Sequence, residues 1–207
     1  GSTIDSNNFS HNYTTPGNKT VQIYKGTATG PGDITQIRMD IDNLVGTLDL
    51  SSLSNLSYLS VPTNRKLSKI LVPNSNTVPW TGFIANDCSL NGVLDVSNLQ
   101  LAGDFYVYGN KNLTNILNPS TGGIISNYWA GDCDLTGTLD CSSLSKLGGW
   151  IIIYGNRKLK SIKNPKSSQS CSTYWVFDNS LSGTLDCSGF SSMSGSFYCY
   201  GNKELTN

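Results

Sequence analysis

The chain has 207 residues, 14 basic and 14 acidic side chains and no net charge, with only 14% of its residues charged. It therefore has no overall field to draw in nucleic acid or an anionic membrane, and neither nucleic-acid binding nor membrane insertion is expected. Its one histidine, His11, lies near the start, so no Ser/His/Asp or Cys/His arrangement can be built farther along; HExxH, phosphate-loop and dinucleotide-glycine patterns are missing too.

Taken in chain order, residues 1–33 are rich in Ser, Asn, Thr and Gly and carry no repeat. Gly1-Ser2 reads as a cloning scar, and TVQIYKG within this segment is predicted to form a capping strand. From residue 34 a short strand pattern recurs eight times, ending at Asp42, Asn64, Cys88, Asn110, Cys133, Asn156, Asn179 and Asn202. These anchors are 22, 24, 22, 23, 23, 23 and 23 residues apart. Such spacing gives one strand per turn of a solenoid, and residues 34–207 form one continuous domain.

Five before each anchor stand Ile37, Leu59, Phe83, Phe105, Tyr128, Ile151, Tyr174 and Phe197, and three before stand Met39, Val61, Ala85, Val107, Ala130, Ile153, Val176 and Cys199. On a strand these two columns point the same way, into the core. Eight before, Ile34, Leu56, Trp80, Ala102 and Ile125 extend them, while Gly148 and Ser194 weaken the column. The anchor falls where a strand leaves the sheet and its backbone groups need new partners. An Asn amide supplies both a donor and an acceptor, and Cys is a weaker substitute.

A second period overlies the first. Asp42, Cys88, Cys133 and Asn179 are followed by LVGTLDLSSL, LNGVLDVSNL, LTGTLDCSSL and LSGTLDCSGF, whereas other turns carry NRKLSKILVP, NKNLTNILNP and NRKLKSIKNP. The larger unit is therefore two turns long. These segments resemble those of irregular leucine-rich repeat proteins of bacterial cell surfaces and phage tail adhesins, over roughly residues 34 to 207. The resemblance implies a leucine-rich-repeat solenoid of about eight repeats, with a parallel sheet on the concave face and mostly irregular arcs on the convex face.

The positions six, four and two before each anchor then point outward, onto that sheet face. Ten of the 24 are aromatic, half of the chain's 20 aromatic residues: Tyr58, Tyr106, Tyr108, Trp129, Trp150, Tyr154, Trp175, Phe177, Tyr198 and Tyr200. A contiguous aromatic surface marks a binding site, for a cell-surface glycan or protein. Self-association through the same face, and simple strand propensity with lateral support between rings, are the alternatives. No catalytic residue, cofactor or metal site is expected.

Asp87, Asp132 and Asp178 just before alternate anchors, with Arg65, Lys66, Lys111, Arg157, Lys158 and Lys203 after the others, read as surface ladder pairs. Asp49, Asp95, Asp140 and Asp186 in the LD step read as turn-formers. Of the six cysteines, Cys88 and Cys133, and likewise Cys141 and Cys187, lie two turns apart, about 10 Å at sheet spacing. That is too far for a disulfide, so all six read as buried free thiols. Low charge with abundant Ser, Asn, Gly and Tyr favours an extracellular, cell-surface or virion-surface location; folding in a reducing cytoplasm before display, as a phage tail protein does, reconciles it with free thiols. The stop soon after Asn202, without a polar capping unit, reads as a cut from a longer protein.

Overall fold

The computed structural model describes residues 34–40, 43–74, 78–119, 125–144, 148–166 and 169–206. Segment 1–33, with His11 and the expected capping strand, and the Asp42 anchor lie outside the described residues. The rest winds as a parallel β-solenoid without helices among the described residues. One strand per turn enters an eight-stranded sheet, in the order Gln36–Arg38, Tyr58–Ser60, Pro79–Ile84, Gln100–Tyr106, Tyr128–Trp129, Trp150–Ile152, Thr173–Trp175 and Phe197–Tyr198. Pairing follows the repeat register: Leu59 faces Ile37 and Phe83, Phe105 faces Phe83 and Tyr128, and Ile151 faces Tyr128 and Tyr174.

Period-two alternation sets the core. Ile37, Leu59, Phe83, Phe105, Tyr128, Ile151 and Tyr174 are buried, whereas Phe197 on the last sheet strand is 43% exposed. Phe83, Phe105 and Tyr128 stack in series, with ring centroids 5.4 and 5.1 Å apart. Ile34, Met39 and Cys199 are half-buried, and at one inward position the register itself departs from expectation. Ala102 is only half-buried, and Leu101 fills the core place opposite Trp80. The strand Gln100–Tyr106 carries an extra residue here. Only glycine fits at Gly103, since a Cβ would lie 2.0 Å from the Thr81 carbonyl oxygen.

The anchors tie successive turns together. Asn64, Asn110, Asn156, Asn179 and Asn202 donate from Nδ2 to the carbonyls of Met39, Ala85, Ala130, Ile153 and Val176, each in the preceding turn, at 2.7 to 2.9 Å. Their Oδ1 atoms accept the backbone N–H of Leu44, Leu90, Leu135, Asn156 and Leu181. Cys88 and Cys133 make the same reach more weakly, from Sγ to the Val61 and Val107 carbonyls at 3.2 and 3.3 Å. Backbone groups that the strand leaves behind thus gain partners at these anchors.

The arcs are more regular than the sequence suggested. Val45–Asp49 pairs with Lys66–Leu71, Asn91–Asp95 with Asn112–Leu117, Thr136–Asp140 with Lys158–Lys163, and Ser182–Gly183 with Glu204–Leu205. Each two-turn unit therefore closes its own small sheet. The glycine of the LxGxLD segment makes this possible: Gly46, Gly92 and Gly137 stand at φ of 75°, 66° and 62°, where the register shifts by one. Asp49, Asp95, Asp140 and Asp186 then accept the backbone N–H two residues on at 2.9 to 3.0 Å, as expected of turn-formers.

Two polar sets, each around a buried tyrosine, cross from arc to core. The Tyr128 hydroxyl donates to Asn118 Oδ1 at 3.3 Å, and Asn118 Nδ2 reaches the Asp140 carbonyl at 2.8 Å and Cys141 Sγ at 3.8 Å. Forty-six residues on, Tyr174 and Asn164 exchange hydrogen bonds at 3.0 and 2.8 Å, and Asn164 Nδ2 reaches the Asp186 carbonyl at 2.9 Å and Cys187 Sγ at 3.8 Å.

Candidate functional site

The outward columns meet on one face of the eight-stranded sheet, and the pleat that buries Phe105 turns its neighbour Tyr106 the other way. Nine of the ten singled-out aromatics, from Tyr106 to Tyr200, fall on five successive strands or just past their ends. Tyr58 lies two strands away, its ring over Gly82 and beneath the Arg38 guanidinium at 4.1 Å.

Eight of the nine rings pack against one another, all but Trp150. Tyr108 stacks on Trp129 at 4.1 Å, Tyr154 on Phe177 at 4.9 Å, Phe177 on Tyr200 at 4.9 Å, and Trp175 on Tyr198 at 5.4 Å, while Tyr106 meets Trp129 edge-on. Tyr154 also lies over Gly131, where a Cβ would come within 2.5 Å of the ring. Between Trp129 and Trp175 the outward Ile152 is only 4% exposed, so this position, expected to face water, is covered by its neighbours. Trp150, Tyr198 and Tyr200 remain open, at 44%, 44% and 59%. The Trp175 indole N–H is buried without a partner.

Acidic groups border the face. Burial, and then the charge of Asp104, Asp87 and Asp132 respectively, raise the pKa values of Tyr106, Tyr108 and Tyr154 above the ordinary tyrosine value. These tyrosines are neutral donors at pH 7. At the end of the face a groove of about 680 Å³ is lined by Tyr154 and Phe177, with Asp132, Asp178, Glu204, Arg157 and Lys203. Sequence reasoning assigned the two aromatics to the site and missed the five charged residues.

The reason lies in the backbone. The expected ladder pairs between Asp87, Asp132 or Asp178 and the bases do not form among the described residues. Lys158 pairs with Asp134 at 2.8 Å, Lys163 with Asp140 at 3.1 Å, and Lys160 with Glu204 at 3.4 Å. Asp87, Asp132 and Asp178 occupy left-handed corners, with φ of 52°, 48° and 50°, a conformation that the short Asp side chain tolerates. The following corners are Gly109, Gly155 and Gly201, also left-handed, and a Cβ on any of them would lie 2.1 to 2.5 Å from the preceding Asp Oδ1. Each carboxylate thus rests over the next turn's glycine.

All six cysteines are free; Cys88, Cys133, Cys141 and Cys171 are buried, and Cys187 and Cys199 are half-buried, so two are less covered than expected. Burial pushes the Cys133 and Cys141 thiols up to about 12 and those of Cys88 and Cys187 up to about 11. Among the described residues no three His, Cys, Asp or Glu side chains converge on a metal-binding geometry. No protein-family model, curated protein or solved structure matches the chain.

Proposed function

We propose that this chain is a non-enzymatic recognition or adhesion module of leucine-rich-repeat type, which works at an extracellular, cell or virion surface. It engages a cell-surface glycan or protein through the aromatic face of its eight-stranded sheet, taken as the concave one. The observation that carries this reading is the continuous outward aromatic surface, of which Trp150, Tyr198 and Tyr200 are 44%, 44% and 59% exposed. Solvated aromatic area of this kind is costly to leave uncovered unless a partner uses it. The borders add acceptors and donors that would fix orientation. A screen for binding to cells tests the reading. Tyr198→Ser with Tyr200→Ser is expected to abolish the binding found while leaving circular dichroism unchanged; retained affinity would move the site off this face.

A second reading, subunit assembly through the same face, is favoured by one feature: Phe197, Tyr198 and Tyr200, on the last described sheet strand and just past it, are 43%, 44% and 59% exposed, an apolar edge that another subunit could cover. Size-exclusion chromatography with light scattering separates the two. A stable monomer supports recognition, and an obligate oligomer supports assembly.

A further inference from the structure

We infer that Trp150, together with Asp104, Asn127 and the Tyr106 hydroxyl, forms a subsite for one pyranose ring of a neutral glycan. The inference rests on the recognition reading and narrows it. A sugar presents an apolar C–H face, and an aromatic ring receives it only if the ring's own face is open. Most rings here do not qualify. Phe177 is held between Tyr154 and Tyr200, with planes within 6° and 16° at 4.9 Å, and Tyr154 between Phe177 and Gly131, so both have their faces covered, while Tyr200 has one face taken by Phe177. Trp150 differs: it is 44% exposed and makes no ring contact among the described residues.

Polar groups stand beside it in the same outward column. The Trp150 backbone N–H donates to Asn127 Oδ1 at 3.0 Å, and Asn127 Nδ2 donates to Asp104 Oδ1 at 2.8 Å. The Tyr106 hydroxyl lies against both Asp104 and Asn127. A carboxylate has about four acceptor positions and an amide two donor hydrogens, so both keep capacity after this pairing. An acceptor and a donor side by side suit adjacent sugar hydroxyls, which give and take hydrogen bonds. Both side chains are half-buried and pre-positioned by the sheet, which lowers the ordering cost of binding. Charge decides the class of sugar. Asp104, the carboxylate within the subsite, repels carboxylated sugars and leaves neutral ones.

The test uses the full chain on an array of neutral hexopyranose and N-acetylhexosamine oligomers, with sialylated and uronic acid oligomers alongside. Capture of a neutral oligomer is expected, weakened about tenfold or more by Trp150→Ala and by Asp104→Ala. Lys69→Ala, on an arc strand, is expected to bind as the wild type, and circular dichroism reports whether each variant folds. Capture of acidic glycans only, or neutral binding that survives Trp150→Ala, overturns the inference. If no glycan is captured but cells bind and Tyr198→Ser with Tyr200→Ser releases them, the saccharide subsite falls and the recognition reading stands. If neither glycans nor cells bind, both fall.

Discussion

The turn around Phe83 and the turns around Tyr128 and Tyr174 solve one packing problem in two ways. At the first, the position before the arc proline, the inward ring and the residue after the LD step are Val72, Phe83 and Val96. At the others the same three places hold Asn118, Tyr128 and Cys141, and Asn164, Tyr174 and Cys187. Phe83, Tyr128 and Tyr174 are each fully buried. What changes is a hydroxyl, and wherever it is present an Asn is present to receive it. In these turns the ring hydroxyl is buried only together with an Asn that bonds it, which offsets the desolvation cost an unpaired hydroxyl would keep.

The largest expected effect tests the seam between these regions. Phe105 stacks on Phe83 to one side and on Tyr128 to the other. Phe105→Ala is expected to cost about 3 to 5 kcal/mol in denaturant unfolding, and Tyr106→Ser, half-buried on the opposite face, much less. Equal losses would show that the two faces are not as distinct as the alternation requires. Next comes the polar set itself. Asn164→Val strands the Tyr174 hydroxyl and the Asp186 carbonyl and is expected to cost about 3 kcal/mol. Adding Tyr174→Phe and Cys187→Val copies the apolar turn and is expected to restore stability to within about 1 kcal/mol of wild type. A triple variant as unstable as the single one would break the comparison.

The reverse exchange is smaller. Phe83→Tyr introduces a buried hydroxyl with no partner and is expected to cost about 1 to 3 kcal/mol, less when Val72→Asn is added. Alkali sharpens the contrast between regions. Burial raises Tyr128 and Tyr174 well above the ordinary 10.0, and raises Cys141 from 9.0 to about 12 and Cys187 to about 11. Groups whose folded pKa is raised stabilise fully below the unfolded value and lose that contribution as pH climbs through the folded one. Melting temperature is therefore expected to fall progressively from about pH 9 toward 12, and less steeply in the Asn164→Val/Tyr174→Phe/Cys187→Val variant. The smallest effect is kinetic: with a thiol reagent under native conditions Cys141 is expected to react among the slowest and half-buried Cys199 first, with six thiols counted after denaturation.

Strand register was legible because burial recurs every second residue and the anchors repeat at nearly constant spacing. The slip at Leu101 was not, since Leu101 and Ala102 are adjacent and both apolar, and only the close approach of Gly103 to Thr81 selects between them. The left-handed corners were hidden for another reason. Thr63, Asp87, Gly109, Asp132, Gly155, Asp178 and Gly201 share one backbone conformation but three residue types, so the Asp members read as surface charges. Asn118, Tyr128 and Cys141 stand 10 and 13 residues apart, in columns that sequence gives no cause to join. The aromatic columns of the candidate site were legible. The orientation of their rings was not, because it depends on vacancies such as Gly131 that let a neighbour lie flat.

The alternation of Asp and Gly at these corners limits how such a chain can change length. Each carboxylate occupies the space that the next corner's glycine leaves free. Excising a single turn would set Asp beside Asp about 4.8 Å away, two like charges competing for a space neither vacates. Excising two turns would restore the match. Tandem duplication or loss is thus expected to succeed in steps of 45 or 46 residues, the distances from Asp87 to Asp132 and from Asp132 to Asp178, and to fail at half that step. The copying unit of this solenoid is the pair.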